Sequence, residues 1–157
     1  MRPVHIWVDA DACPAVIKDI LDRAAERTRT PLTLVANKAL RTPRSPYIRA
    51  AQVARGIDVA DSHIVRSIAP GDLVVTADIP LAARCLAKDA RVLGPKGRVF
   101  TDNDIGSALA LRELKDGLRQ GGTLTGGPAP MTPKDRSRFL SKLDEVVNAV
   151  RRAYPPR

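Results

Sequence analysis

The sequence predicts a single α/β domain, a mostly parallel sheet of about four or five strands flanked by helices. Short β-branched apolar runs alternate with amphipathic stretches at helical spacing, the pattern of βαβ units. A chain of 157 residues suits one domain with a sizeable core, and a hydrophobic content of 44% excludes a disordered one. Two of the strand-like runs end in aspartates directly before a helix, where open α/β sheets place their ligand sites.

The first strand is Ile6-Trp7-Val8, ending in Asp9 and Asp11. Val16, Ile17, Ile20, Leu21 and Ala24 recur at helical spacing over 14–28, with Pro14 suited to the first turn. Pro31 introduces a second strand, LTLVAN. TPRSPY reads as a loop, and Ala51-Gln52-Val53-Ala54 as a short third strand ended by Gly56. A helix is expected over 57–68, with Ile57, Ile64, Val65 and Ile68 on one face and Pro70-Gly71 as its stop. Asp58 and Asp61, three apart at its start, fit N-cap and N3 positions.

Residues 71–90 repeat the opening: Leu73-Val74-Val75 as strand, Thr76 and Asp78 at its end, then a helix with Pro80 in its first turn. Arg91-Val92-Leu93 is expected to be the last strand, with GPKGR a turn. Asp102 reads as a cap of the helix carrying Ile105, Leu109, Leu111, Leu114 and Leu118; Asp104 follows it. Residues 120–133 are a Gly/Pro-rich loop, and a closing helix over 134–153 turns Phe139, Leu140, Leu143, Val146, Val147 and Val150 inward.

Composition narrows the function classes. A net charge of +9 suits a polyanionic partner such as nucleic acid, while 3% aromatics argues against a base-stacking platform. No apolar run approaches the roughly 20 residues that span a bilayer, so no membrane association is expected. Charge at Asp9 and Asp11 precedes any signal-like apolar stretch, and Cys13 and Cys85 are too few for a disulfide framework; a cytoplasmic setting is expected. From Pro31 to Ile57 no residue is acidic, and Lys38, Arg41 and Arg44 read as a phosphate-contacting rim.

In a doubly wound sheet the first strand lies beside the one that begins the second half, so Asp9, Asp11 and Asp78 are expected to share a crevice, with Asp58 and Asp61 nearby. Like charges held together raise each other's pKa, and a cation relieves them. Carboxylates are hard oxygen donors suited to Mg²⁺ or Mn²⁺, which neutralise phosphodiester charge and activate water. His5 and His63 show no metal-ligand spacing.

DADACP, GIDVADSHIV, GDLVVTADIPLA and the GGP loop before a closing helix, in that order, resemble the YaiI/YqxD family over nearly the whole chain. More distantly, the aspartate pattern resembles the PIN-like nuclease superfamily with its NYN branch. That resemblance implies a Rossmann-like sheet, a divalent metal and RNA as substrate. Asp9 would be the first-strand acid, Asp78 the later strand-end acid, and Asp58 and Asp61 the acids of the intervening helix. The sequence departs from the pattern in having no Glu at these positions and in Cys13-Pro14 after the first acids. Either departure alters the metal geometry or marks a binding fold without catalysis.

The leading expectation is a metal-dependent nuclease or phosphodiesterase acting on RNA, with Asp9, Asp11 and Asp78 catalytic. One rival is a non-catalytic RNA-binding or regulatory module, in which the acids are caps and polar support. Another is a haloacid dehalogenase-like phosphatase, which the DxD opening resembles. There Asp9 would be nucleophile and Asp11 general acid, but Cys13 replaces the Thr or Val of that motif. Cys13 as a nucleophile lacks an evident His or Asn partner and reads instead as a small buried thiol.

Overall fold

The computed structural model describes residues 4–120 and 131–153. β1 (Ile6–Asp9) leads through a 3-10 turn, Ala10–Ala12, into α1 (Ala15–Thr28), followed by β2 (Leu32–Ala36) and β3 (Ile48–Gln52). Then come α2 (Val59–Ser67), β4 (Leu73–Val75), α3 (Ile79–Leu86), β5 (Arg91–Leu93), β6 (Val99–Phe100), α4 (Asp102–Gln120) and α5 (Pro133–Ala153). The strands form one six-stranded sheet in the order β3-β2-β1-β4-β5-β6, parallel except for β6.

The strand order reverses between β1 and β4. From β1 the chain steps to β2 and β3 on one side, then returns through α2 to β4 and β5 on the other. Right-handed crossovers then send the helices of the two halves to opposite faces. Ile6 and Val8 of β1, with Leu73 and Val75 of β4, pack against Ile17 and Leu21 of α1 and Phe139 and Leu143 of α5. Trp7 and Val74 face the other way, towards Ile64 of α2, Leu81 and Cys85 of α3, and Ile105 of α4. Phe139 is fully buried, so its truncation to Ala would cost about 3–5 kcal/mol.

Several local expectations are corrected. The sheet has six strands rather than four or five, because Val99–Phe100 pairs antiparallel with β5, which is therefore not the last strand. The third strand is Ile48–Gln52, ahead of the expected Ala51–Ala54. As an edge strand it buries Ile48 but exposes Arg49 and Ala50, so no alternation marked it. Pro14 is the N-cap of α1, just before the first turn.

Ile57 lies outside α2 and is 94% exposed, and Leu140, expected to face inward, is exposed, as are Leu111 and Leu114 of α4. The first turn of α4 is closed by Thr101 and Asp104, not by Asp102. Thr101 N–H donates to Asp104 Oδ1 (3.0 Å), and Asp104 N–H to Thr101 Oγ1 (3.3 Å). Leu118 and the Gly126-Gly127-Pro128 stretch lie outside the described side chains and residues. Among the described residues, no helix is long and apolar enough to cross a membrane.

Candidate functional site at the carboxyl edge of the sheet

Strand alternation decides where Asp9 points. It shares the Trp7 face of β1, towards α2 and α3, because Ile6 and Val8 take the other face. Val8 pairs with Val75, so the next step of the register sets Asp9 beside Thr76. The Thr76 hydroxyl donates to Asp9 Oδ2 (2.9 Å) and accepts from the Asp78 N–H (3.0 Å). Asp78 Oδ1 in turn accepts from the Leu81 N–H (3.0 Å), capping α3. One buried hydroxyl thus ties the β1 acid to the β4 acid across the point where strand order reverses.

Asp9 is held above the ordinary carboxylate range, chiefly by burial and also by the negative charges of Asp78 and Asp11; the Thr76 hydrogen bond opposes this. Asp61, in the first turn of α2, is pushed up to about 6 by burial and by repulsion from Asp78, Asp9 and Asp58, with Arg84 pulling the other way. The charge of Asp78 thus acts on both Asp9 and Asp61. Asp58 occupies the N-cap position of α2, but in a left-handed conformation (φ 62°) and without a side-chain cap hydrogen bond. Asp11 is exposed, and its Oδ2 accepts from the Asn37 N–H (2.9 Å), which ties it to the end of β2. Among the described residues, no three His, Cys, Asp or Glu side chains stand close enough to share an ion.

The basic segment is only partly at this edge. Lys38 follows β2 at its carboxyl end, but β3 runs parallel to β2, so the connection must return to the opposite edge. Arg41 and Arg44, both exposed, are spaced along that return, leading away from the acids. Cys13 is buried, and burial pushes its thiol up to about 12, which removes the thiolate a nucleophile needs. Cys85 is likewise free, buried and pushed up to about 12.

Two features escaped the sequence reading. Thr76 passed as part of a strand end, although Thr-x-Asp, with the hydroxyl accepting from the N–H two residues on, is a recognisable local motif. The Gly94–Arg98 turn, read only as a connection, forms one wall of a cleft of about 640 Å³ beside the acids. No single segment signals it, because its other walls come from the turns after β1 and β4.

Residues 7–149 match the sequence model of the family described as "Uncharacterized BCR, YaiI/YqxD family". The chain belongs to the YaiI/YqxD family. It is 56% identical over 148 residues to a UPF0178 protein of Alkalilimnicola ehrlichii, covering 94% of this chain and 100% of that one. A UPF0178 protein of Bordetella petrii is 57% identical over 150 residues, 96% of this chain and 100% of that one. One from Klebsiella pneumoniae is 54% identical over 147 residues, 94% and 97% of the two chains. The YaiI/YqxD match spans every strand and both acid-bearing strand ends, starting one residue inside β1. No solved structure gives a significant match.

Proposed function

We propose that this protein is a metal-dependent phosphodiesterase acting on RNA, with its site at the carboxyl ends of β1 and β4. The observation that carries this reading is the Asp9–Thr76–Asp78 unit at the reversal of strand order. A stabilising role alone would favour separating these acids, because their charges raise Asp9 and Asp61.

The donor set fits a hard ion held by two carboxylates, with water and phosphate oxygens as its other ligands, the usual way Mg²⁺ is held; it does not form a three-carboxylate cage. Asp9 and Asp78 would hold the ion. When bound, it would neutralise phosphodiester charge and acidify a water. Thr76 fixes the rotamer of Asp9 by donating to Oδ2, and the α3 cap fixes Asp78 through Oδ1. Asp61, in the first turn of α2, would complete the shell or orient water. Lys38 would meet the phosphate backbone at this edge, with Arg41 and Arg44 extending the track along the sheet.

The decisive assay incubates single-stranded RNA with the full chain and Mg²⁺ or Mn²⁺. Cleavage that disappears with EDTA and falls at least about 100-fold in Asp9→Asn, roughly 2.7 kcal/mol of barrier, is the expected result. Unchanged turnover in Asp9→Asn overturns it. A non-catalytic RNA-binding module is the second reading, favoured by the backbone hydrogen bonds that already engage Asp11 and Asp78. It requires RNA binding without turnover, unaltered by Asp9→Asn.

A further inference from the structure

The cleft beside the acids has a composition that none of the acid chemistry uses. Its apolar walls are Ala12 and Pro14 after β1, Ala77 and Ile79 after β4, and Phe100 and Met131 opposite. Ala12 follows Asp11 directly in the chain, and Ala77 stands between Thr76 and Asp78, so the cleft opens at the same carboxyl edge of the sheet. At about 640 Å³ it falls within the range of about 300–1,000 Å³ typical of small-molecule sites.

Its far wall is cationic. Lys96 and Arg98 line it from the β5–β6 turn, with the Arg98 guanidinium 4.7 Å from the centre of the Phe100 ring. Gly97 (φ +91°) lets that turn lie against α5: a Cβ there would sit 2.5 Å from Arg138 Cγ and 2.9 Å from its carbonyl carbon. Arg138 thereby packs against the turn. Asp135 lies in the field of both Lys96 and Arg138, with Arg138 Nη1 3.9 Å from its Oδ1. The cleft thus has largely apolar walls with positive charge from Lys96 and Arg98.

We propose that this cleft is a nucleotide subsite, taking the base of one RNA residue between its apolar walls and that residue's phosphate on Lys96 and Arg98. The proposal rests on the reading of the acid edge as a phosphodiester-cleaving site, and it adds what that reading lacks, a pocket that selects the nucleotide beside the scissile bond. A base presents apolar π-faces to walls of this kind, and its size admits one nucleotide rather than a duplex. Charge complementarity orients it, because the phosphate is drawn to Lys96 and Arg98 of the basic turn.

The test is a titration of adenosine 5′-monophosphate into the full chain in EDTA, followed by amide chemical shifts, with adenosine and inorganic phosphate as parallel arms. The expected result is binding at least about tenfold tighter than either arm, with shifts at Ala77, Ile79 and Gly94–Arg98. Ala12→Trp, at an exposed position on the cleft wall, fills the space and should weaken binding at least about tenfold, and Arg98→Gln should weaken it less. Both variants are checked for an unchanged melting temperature, and either one that folds suffices. Inorganic phosphate binding as tightly as the nucleotide, shifts confined to another surface, or binding unaltered by these variants would each overturn the proposal. Because EDTA abolishes turnover, binding here persists if the acids prove non-catalytic, and intact RNA cleavage without nucleotide binding removes the subsite alone.

Discussion

Strand β4 carries aspartates near both of its ends, and they live in opposite surroundings. At the amino end Asp72 is 1% exposed and accepts from the N–H groups of His5 (3.1 Å) and Ala69 (3.0 Å) and from Trp7 Nε1 (3.1 Å). At the carboxyl end Asp78, Asp9 and Asp61 are less buried and share fewer donors, and Asp9 and Asp61 are held above the ordinary carboxylate range by burial and by neighbouring negative charge. A buried acid that serves the fold is surrounded by donors, which offset its desolvation. Acids kept near other acids lack that offset, and their charges oppose one another's ionisation. Asp72 is on that account structural.

Substitutions can break or sharpen this contrast. The largest effect is expected at Asp72→Ala, which strands buried donors and should cost roughly 3–5 kcal/mol in urea unfolding. A loss under 1 kcal/mol would erase the distinction between the two ends. Asp9→Asn should do the reverse, losing the cleavage described above while its stability stays within about 1 kcal/mol of wild type. Thr76→Val keeps the shape but removes both hydrogen bonds of the bridging hydroxyl. It should cost about 1–3 kcal/mol and lower Mn²⁺ affinity, measured by calorimetry. Unchanged affinity would show that Thr76 does not position Asp9.

Asp58→Gly should leave stability unchanged or raise it by up to about 1 kcal/mol, since glycine accepts the left-handed φ without a Cβ penalty. A capping aspartate would instead lose stability on removal, visible in the same unfolding curves.

The smallest effect concerns Asp22 on α1, a control far from the edge. Its Oδ1 is buried without a partner, and burial, Asp19 and Glu26 push its carboxyl up to about 6 from an ordinary 3.8, with Lys18 opposing. The folded state therefore binds this proton more tightly than the unfolded chain. The resulting stability is fully present below about pH 4 and lost as pH rises through about 6. Asp22→Asn should raise the melting temperature by about 2 °C at pH 8 and leave it unchanged at pH 4, read by thermal scans.

Much of this was legible beforehand, for local reasons. Ile6-Trp7-Val8 and Leu73-Val74-Val75 are short apolar runs that stop at polar residues, so the strand ends and their aspartates could be placed directly. α1, α3 and α5 carry their apolar stripes at helical spacing, and Phe139, Leu143, Val147 and Val150 are buried as that spacing predicts. β3 was misplaced because an edge strand buries little, and β6 was missed because Val99 and Phe100 are too short a run to show a period. The Thr101–Asp104 box was readable as Thr-x-x-Asp, yet Asp102 drew attention by proximity alone.

By itself the sequence determined the α/β class, the family, and the presence of carboxylates at two strand ends, because these depend on neighbours within a few residues. Only the tertiary structure decided which carboxylates meet. Alternation and register turned Asp9 towards Thr76, the reversal between β1 and β4 brought Asp78 across, and α2 carried Asp61 into their field. The same reversal took Asp11 towards β2, led Arg41 and Arg44 away from the acid edge, and gathered three separate turns around one cleft. Those outcomes rest on which strands pair, a choice made by burial summed over the whole sheet rather than by any segment of it.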